Sequence, residues 1–190
     1  MFMLVLGLIL WSVLHTAPVF LRGPRAALMA KWGRNPYRGG FSLGILLSLV
    51  LMVFGYRGAD SAGFAYIPPD FGPYITNVLM LAGLFLFVVS AHKTNVKRVI
   101  RHPQMVAVIL WSIAHLLSNG NVRDLVLFGW LGLWAALEIV ALNKRDGAWQ
   151  KPDPVPAKKD IITVVAGLVL FGIVMAGHEF VIGVAPHPGG

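Results

Sequence analysis

The sequence predicts an all-α membrane protein, a polytopic bundle of about six transmembrane helices with both termini on the non-cytoplasmic side. Three observations predict it. The 190 residues are 57% hydrophobic and 13% charged, against about 25% charged in a soluble domain. Six apolar runs are continuous rather than alternating, which argues for helices over barrel strands. Basic residues crowd into every second connector, as orientation in a membrane requires. Residues 1–190 are read as a single membrane domain with no separate soluble part.

The runs, in order, are Phe2 to Leu21, Phe41 to Tyr56, Tyr74 to Ala91, Met105 to Leu117, Leu125 to Leu142 and Ile161 to about Ala176. The first lacks the basic leader of a signal peptide and is read as a retained helix. Pro68-Pro69 and Gly72-Pro73 break the chain before the third. The fourth has 13 residues, where an upright span needs roughly 20. It therefore recruits residues from Val99 to Gln104 or is shielded by neighbours. Asn119-Gly120-Asn121 is a turn signal after it. Lys151 to Pro156 is an extended, Pro-rich linker. Gly44 with Ser48, and Gly129 with Gly132, are small residues suited to close helix packing.

The five connectors hold 5, 1, 4, 1 and 5 basic residues, which accounts for all 16 in the chain. By the positive-inside rule the first, third and fifth connectors face the cytoplasm. A net charge of +8 would suggest a nucleic-acid partner in a soluble protein. Here the charges lie between apolar runs, so the bilayer is the partner they indicate. The chain has no cysteine, which excludes disulfides, thiolate ligands and cysteine nucleophiles. There is no phosphate-binding glycine loop and no HExxH. The residues name no conventional catalytic set, so they leave open whether the chain is an enzyme.

Ionisable residues inside apolar runs are costly and mark function by default. His15 and His115 lie in matching stretches, Leu10-Trp11-Ser12-Val13-Leu14-His15 and Leu110-Trp111-Ser112-Ile113-Ala114-His115. Each histidine follows a tryptophan by four residues and so shares a helix face with it. Neutral imidazole is a good metal ligand, and two from different helices suit a haem iron. The plainer reading is a buried imidazole bonded to a carbonyl or hydroxyl. His15 lies 7 residues before Arg22, and His115 lies 14 after Arg101. In upright helices their depths therefore differ by roughly 10 Å, which weighs against direct pairing.

Arg101-His102-Pro103 places a basic pair ahead of a proline suited to the first turn of a helix. The pair reads as a site for an acidic group, a haem propionate or a lipid phosphate, or as interfacial anchoring by charge. Glu138 is the one acidic residue within an apolar run. It either supports a buried site or reaches cytoplasmic water. His178 and Glu179 follow the sixth run on the outer side, and His92 and His187 read as loop residues.

Arg-His-Pro-Gln-Met through Leu116-Leu117-Ser118-Asn119-Gly120 resembles the NnrU family of membrane proteins. The likeness takes in His15 with Pro18, Arg22, Tyr37-Arg38-Gly39, Gly55-Tyr56, Leu127-Phe128-Gly129 and the segment from His178 to Gly183. It implies a multi-pass protein of the bacterial inner membrane. The implied role is support of denitrification, in the expression or maturation of nitrite and nitric oxide reductases, with those reductases or their maturation machinery as partners. The superfamily includes zeta-carotene isomerase, whose haem b ligands fall by motif on His15 and His115. The chain departs from it at Ser112, where the isomerase has a cysteine. That difference puts isomerisation of a polyene lipid in doubt more than haem binding. Membrane methyltransferases with a similar Arg-His-Pro motif are a weaker relative, since their downstream signature is not evident after Glu138.

Overall fold

The computed structural model describes residues 1–59, 63–183 and 186. Among these the chain is helical, with one isolated bridge between Phe64 and Asn121. The helices are α1 (Phe2–Phe20), α2 (Arg22–Trp32), α3 (Arg34–Arg57), α4 (Gly72–Ala91), α5 (Pro103–Ser118), α6 (Val122–Asp146) and α7 (Ala157–Ile182), with a 3-10 turn at Asn95–Arg98. Five of them (α1, α3, α4, α6 and α7) are long and apolar enough to cross a membrane, and α5 is a shorter apolar helix. At 1.5 Å per residue its 16 residues span about 24 Å, short of the roughly 30 Å hydrocarbon core. Large apolar side chains point outward along the long helices, Ile173 and Leu133 each at 63% exposure. Lipid, rather than protein, is the solvent for such a surface.

The helices extend beyond the apolar runs because a helix ends at a breaker, not where hydropathy falls. α3 starts at Arg34 instead of Phe41, with Pro36 tolerated in its first turn. α7 runs on to Gly183, which is left-handed at φ 83°. His178 and Glu179 are thus inside the last helix and not beyond it. The first connector contains the helix α2, which buries none of its residues. Gly33, at φ 87°, separates it from α3. His187 lies outside the described residues.

The chain divides into two compact units, residues 1–62 and 63–190. In the first, α1 packs along α3, and α2 touches both. Glycine sets the closeness of that packing. A methyl group on Gly7 would lie 2.8 Å from Met52, and one on Gly55 would strike the backbone of Leu4. Ser48 is fully buried against this seam, and Gly44 faces the end of Leu14.

In the second unit the packing neighbours run α7, α4, α5, α6. Gly83 of α4 sits on the Ala107 carbonyl, and Gly167 of α7 sits on Phe85. Leu86, Val89 and Ala107 form a buried cluster, with Ile100, Val106 and Leu110 against it. Gly132 of α6 faces Ser112 of α5. A methyl group on Gly129 would meet only Leu125 of its own turn within 4 Å among the described residues. The linker after α6 is tied back by Asn95. Its Nδ2 donates to the Val155 carbonyl at 2.8 Å and to Asp160 Oδ2 at 2.6 Å, and its Oδ1 accepts from Val155 N at 3.0 Å. Thr94 Oγ1 and Asn95 N both donate to Asp160 Oδ1.

Gly55→Ala should lower the thermal stability of detergent-purified protein by about 1–3 kcal/mol, because α1 must back away from α3. Gly39→Ala, with open space around the added methyl, should be neutral or slightly stabilising. Equal melting temperatures for the two variants would rule out glycine-limited packing.

Candidate functional site

The second unit is organised around the last turn of α5. A helix leaves its final four carbonyls without intrahelical partners, and in an apolar setting each needs another donor. Here side chains reach several carbonyls in and around this turn. Thr76 Oγ1 donates to the Ala114 carbonyl at 2.7 Å, Asn119 Nδ2 to that of His115 at 2.9 Å, and Tyr66 Oη to those of Leu116 and, at 2.8 Å, Asn119. The Gly120 carbonyl accepts from Ala65 N and Tyr66 N. A side chain at Gly120 would strike the Tyr66 carbonyl, and one at Gly72 would strike that of Leu117. Asn121 and Asp124 then start α6 as a reciprocal capping box. Asp124 is 1% exposed. Burial, and then the charge of Asp124, push the Tyr66 phenol above its ordinary value.

His115 sits in this closed turn. Its Nδ1 is 2.9 Å from the Trp111 carbonyl. A carbonyl only accepts, so in the neutral ring the proton is on Nδ1 and the lone pair on Nε2, the tautomer of a metal-ligating histidine. Phe128 stacks on the ring at 4.4 Å, and Trp111 packs at 5.1 Å. Phe128 belongs to a π-helical turn, Leu125–Gly129, a local widening often found at functional sites. The His178 ring lies 6.3 Å away and nearly parallel. In the first unit His15 has the same local arrangement: Nδ1 is 3.0 Å from the Trp11 carbonyl, and the Trp11 ring is 4.0 Å away. The edge of Phe41 approaches it at 6.1 Å.

The remaining candidates are spread along the second unit. Ser112 is 2% exposed, and its Oγ has no hydrogen-bond partner among the described residues. Glu138 is buried on α6, at 6% exposure. Arg101 and His102 stand at the opposite end of α5 from His115, just ahead of Pro103, which lies about 18 Å from His115 along the helix. They line a separate cavity there. The structure therefore groups Trp111 with His115, and Arg101 with His102, but does not bring the two groups together. No group of three or more described His, Asp or Glu residues is arranged to hold a metal ion. Sequence reasoning missed Tyr66 and the contact of His178 with His115. Tyr66 lies in an irregular loop with no periodic signal, and His178 meets His115 from a helix far along the chain.

These features define a multi-pass helical membrane protein with tryptophan-flanked imidazoles inside its helices. The chain belongs to the NnrU family, whose family model matches residues 3–186, nearly the whole chain and both units. No curated protein and no solved structure matches it.

Tyr66→Phe removes the hydroxyl that closes α5 and should lower stability at pH 7 by about 1 kcal/mol. The raised ionisation of the phenol means that its contribution is complete below about pH 10, the unfolded value, and is lost as pH rises through the folded value. The gap between variant and native protein should therefore narrow above that pH. Thermal unfolding in detergent from pH 7 to 11 measures both effects. A variant as stable as the native protein at pH 7 would show that the hydroxyl is dispensable.

Proposed function

We propose that this NnrU-family protein is a haem b-binding factor of the bacterial cytoplasmic membrane that supports nitrogen-oxide respiration. Its partners in this reading are the nitrite and nitric oxide reductases or their maturation machinery. His15 and His115 are the proposed iron ligands. The observation that carries the reading is the shared arrangement in which Nδ1 is bonded to a tryptophan carbonyl one helical turn back. This orients each ring and directs the Nε2 lone pair outward, as ligation requires. The aromatic surroundings, Trp11 and Phe41 at one histidine and Trp111 and Phe128 at the other, suit the apolar face of a porphyrin. Each histidine taken singly thus offers the ring nitrogen and the apolar surroundings that the group calls for. Bound haem would supply one-electron chemistry or ligand-displacement sensing. Ser112 offers a hydroxyl where the related isomerase has a thiol, so a thiolate ligand is not part of this reading. A second ligand arrangement pairs His115 with His178, favoured by their 6.3 Å separation within one unit.

The same proposal takes α5 as a sixth span. The basic connectors then face the cytoplasm, and both termini face away from it, which rests on the 5, 1, 4, 1, 5 alternation.

Protein purified in detergent after expression with ample haem should show a Soret band, with visible bands that sharpen on reduction. His115→Ala should abolish the low-spin spectrum while leaving membrane insertion intact. His15→Ala should do the same if His15 is the second ligand, and His178→Ala if that histidine is. A colourless native protein, or a low-spin spectrum unchanged in His115→Ala, would overturn the reading.

Reporter fusions after Gly40, Gln104 and Pro154 should read as cytoplasmic, and those after Gly63, Gly120 and Gly190 as external. A cytoplasmic C-terminus would break the six-span arrangement.

A further inference from the structure

At the end of α5 away from His115 lies a cavity of about 340 Å³, at the lower end of the roughly 300–1,000 Å³ usual for small-molecule sites. Its polar lining is one-sided in charge. Lys97, Arg101 and His102 contribute to it, and no acidic residue does. Lys97 Nζ is held by the Ser90 carbonyl at 2.7 Å, and His102 Nε2 donates to Asn143 Oδ1 at 3.0 Å. Arg101 is half-buried, and its guanidinium has no hydrogen-bond or ion-pair partner among the described residues. Five donors in a fixed fork are therefore available to one ligand.

The N-terminus of α5 adds to this. His102 makes no side-chain cap and Pro103 has no N–H, so the amides of Gln104 and Met105, both lining residues, are left without a cap at the positive end of the helix. The other walls are apolar, from Met105, Leu142, Trp149 and Pro152. Trp149 also carries Lys151 over its ring at 5.5 Å. The linker bearing Trp149 and Pro152 is held back by the Asn95 bonds to Val155.

We infer that this cavity binds the phosphate group of an anionic amphiphile, with Arg101 as the bidentate contact and Trp149 and Leu142 against the chain that follows the head. A carboxylate would satisfy the same fork. A phosphate has further oxygens to accept from Lys97 and the helix amides as well, which matches the number of donors converging there. The apolar walls, from the ends of α5 and α6 and the linker that follows, distinguish an amphiphile from a free anion.

The test titrates the full detergent-purified chain with short-chain phosphatidic acid, with phosphatidylcholine of the same tails, and with inorganic phosphate. Binding is read by tryptophan fluorescence, and by equilibrium dialysis of radiolabelled lipid. Phosphatidic acid should saturate at least tenfold more tightly than phosphatidylcholine, and inorganic phosphate should be weaker than both or not bind. Arg101→Gln should weaken phosphatidic acid by at least about tenfold. Arg101→Lys should weaken it too, because the charge stays while the fork is lost. Trp149→Ala should remove the fluorescence change and weaken phosphatidic acid in dialysis by at least about threefold, because the chain behind the head loses its aromatic wall. Inorganic phosphate binding as tightly as the lipid would assign the cavity to a free anion and overturn the amphiphile. Equal binding of the two lipids would overturn the preference for an anionic head, and no loss in Arg101→Gln that retains the native melting temperature would overturn the phosphate contact.

Discussion

The last turn of α5 is the constraint on which the second unit depends. A 16-residue helix among longer ones ends where neighbouring side chains, not bulk water, must meet its carbonyls. Thr76, Asn119 and Tyr66 meet them. These three come from α4, from the turn that follows α5, and from the loop that precedes α4. One group of hydrogen bonds therefore fixes α5 against α4, closes the turn into α6 and seats the 63–72 loop. The glycines at 72 and 120 are required because backbone carbonyls occupy the space that a side chain would need.

His115 acquires its character from that arrangement. The ring sits one residue before the carbonyl that Tyr66 binds, and its own Nδ1 is engaged by the Trp111 carbonyl. Both the imidazole orientation and the closure of the helix end thus come from backbone carbonyls of the same few turns. The π turn in α6 then sets Phe128 flat against the ring, and α7 brings His178 alongside. His15 reaches the same tautomer by the same local bond in a unit with different surroundings. The repeated element is a single helical turn, Trp-x-x-x-His, whose hydrogen bond depends only on i to i+4 geometry.

α5 has two chemically distinct ends. Near its C-terminus the carbonyls of Ala114, His115 and Leu116 accept from side chains of the protein. Its N-terminal amides lack a side-chain cap and face a basic cavity. The backbone supplies opposite partial charges at the two ends, and the surrounding residues treat them differently. Aromatic and hydroxyl groups close one end, and cations surround the other.

The sequence by itself determined what depends on neighbours in the chain. It gave the apolar spans, the alternation of basic connectors, the proline at the first position of α5, the Asn-Gly-Asn turn, the Trp–His pairs and membership of the NnrU family, which the family model establishes over residues 3–186. Each is a short-range pattern, and hydropathy, charge and i to i+4 spacing are enough to read it. Helix ends were less legible, since α3 and α7 run past their apolar stretches until a glycine at positive φ stops or starts the helix. Only the tertiary structure decided the rest. Tyr66 binds a carbonyl 50 residues away, Asn95 holds Val155, and His178 faces His115. Arg101 belongs to a cavity whose other wall comes from the linker after α6. No local period encodes such meetings, because they arise when helices distant in sequence pack and must satisfy one another's polar groups.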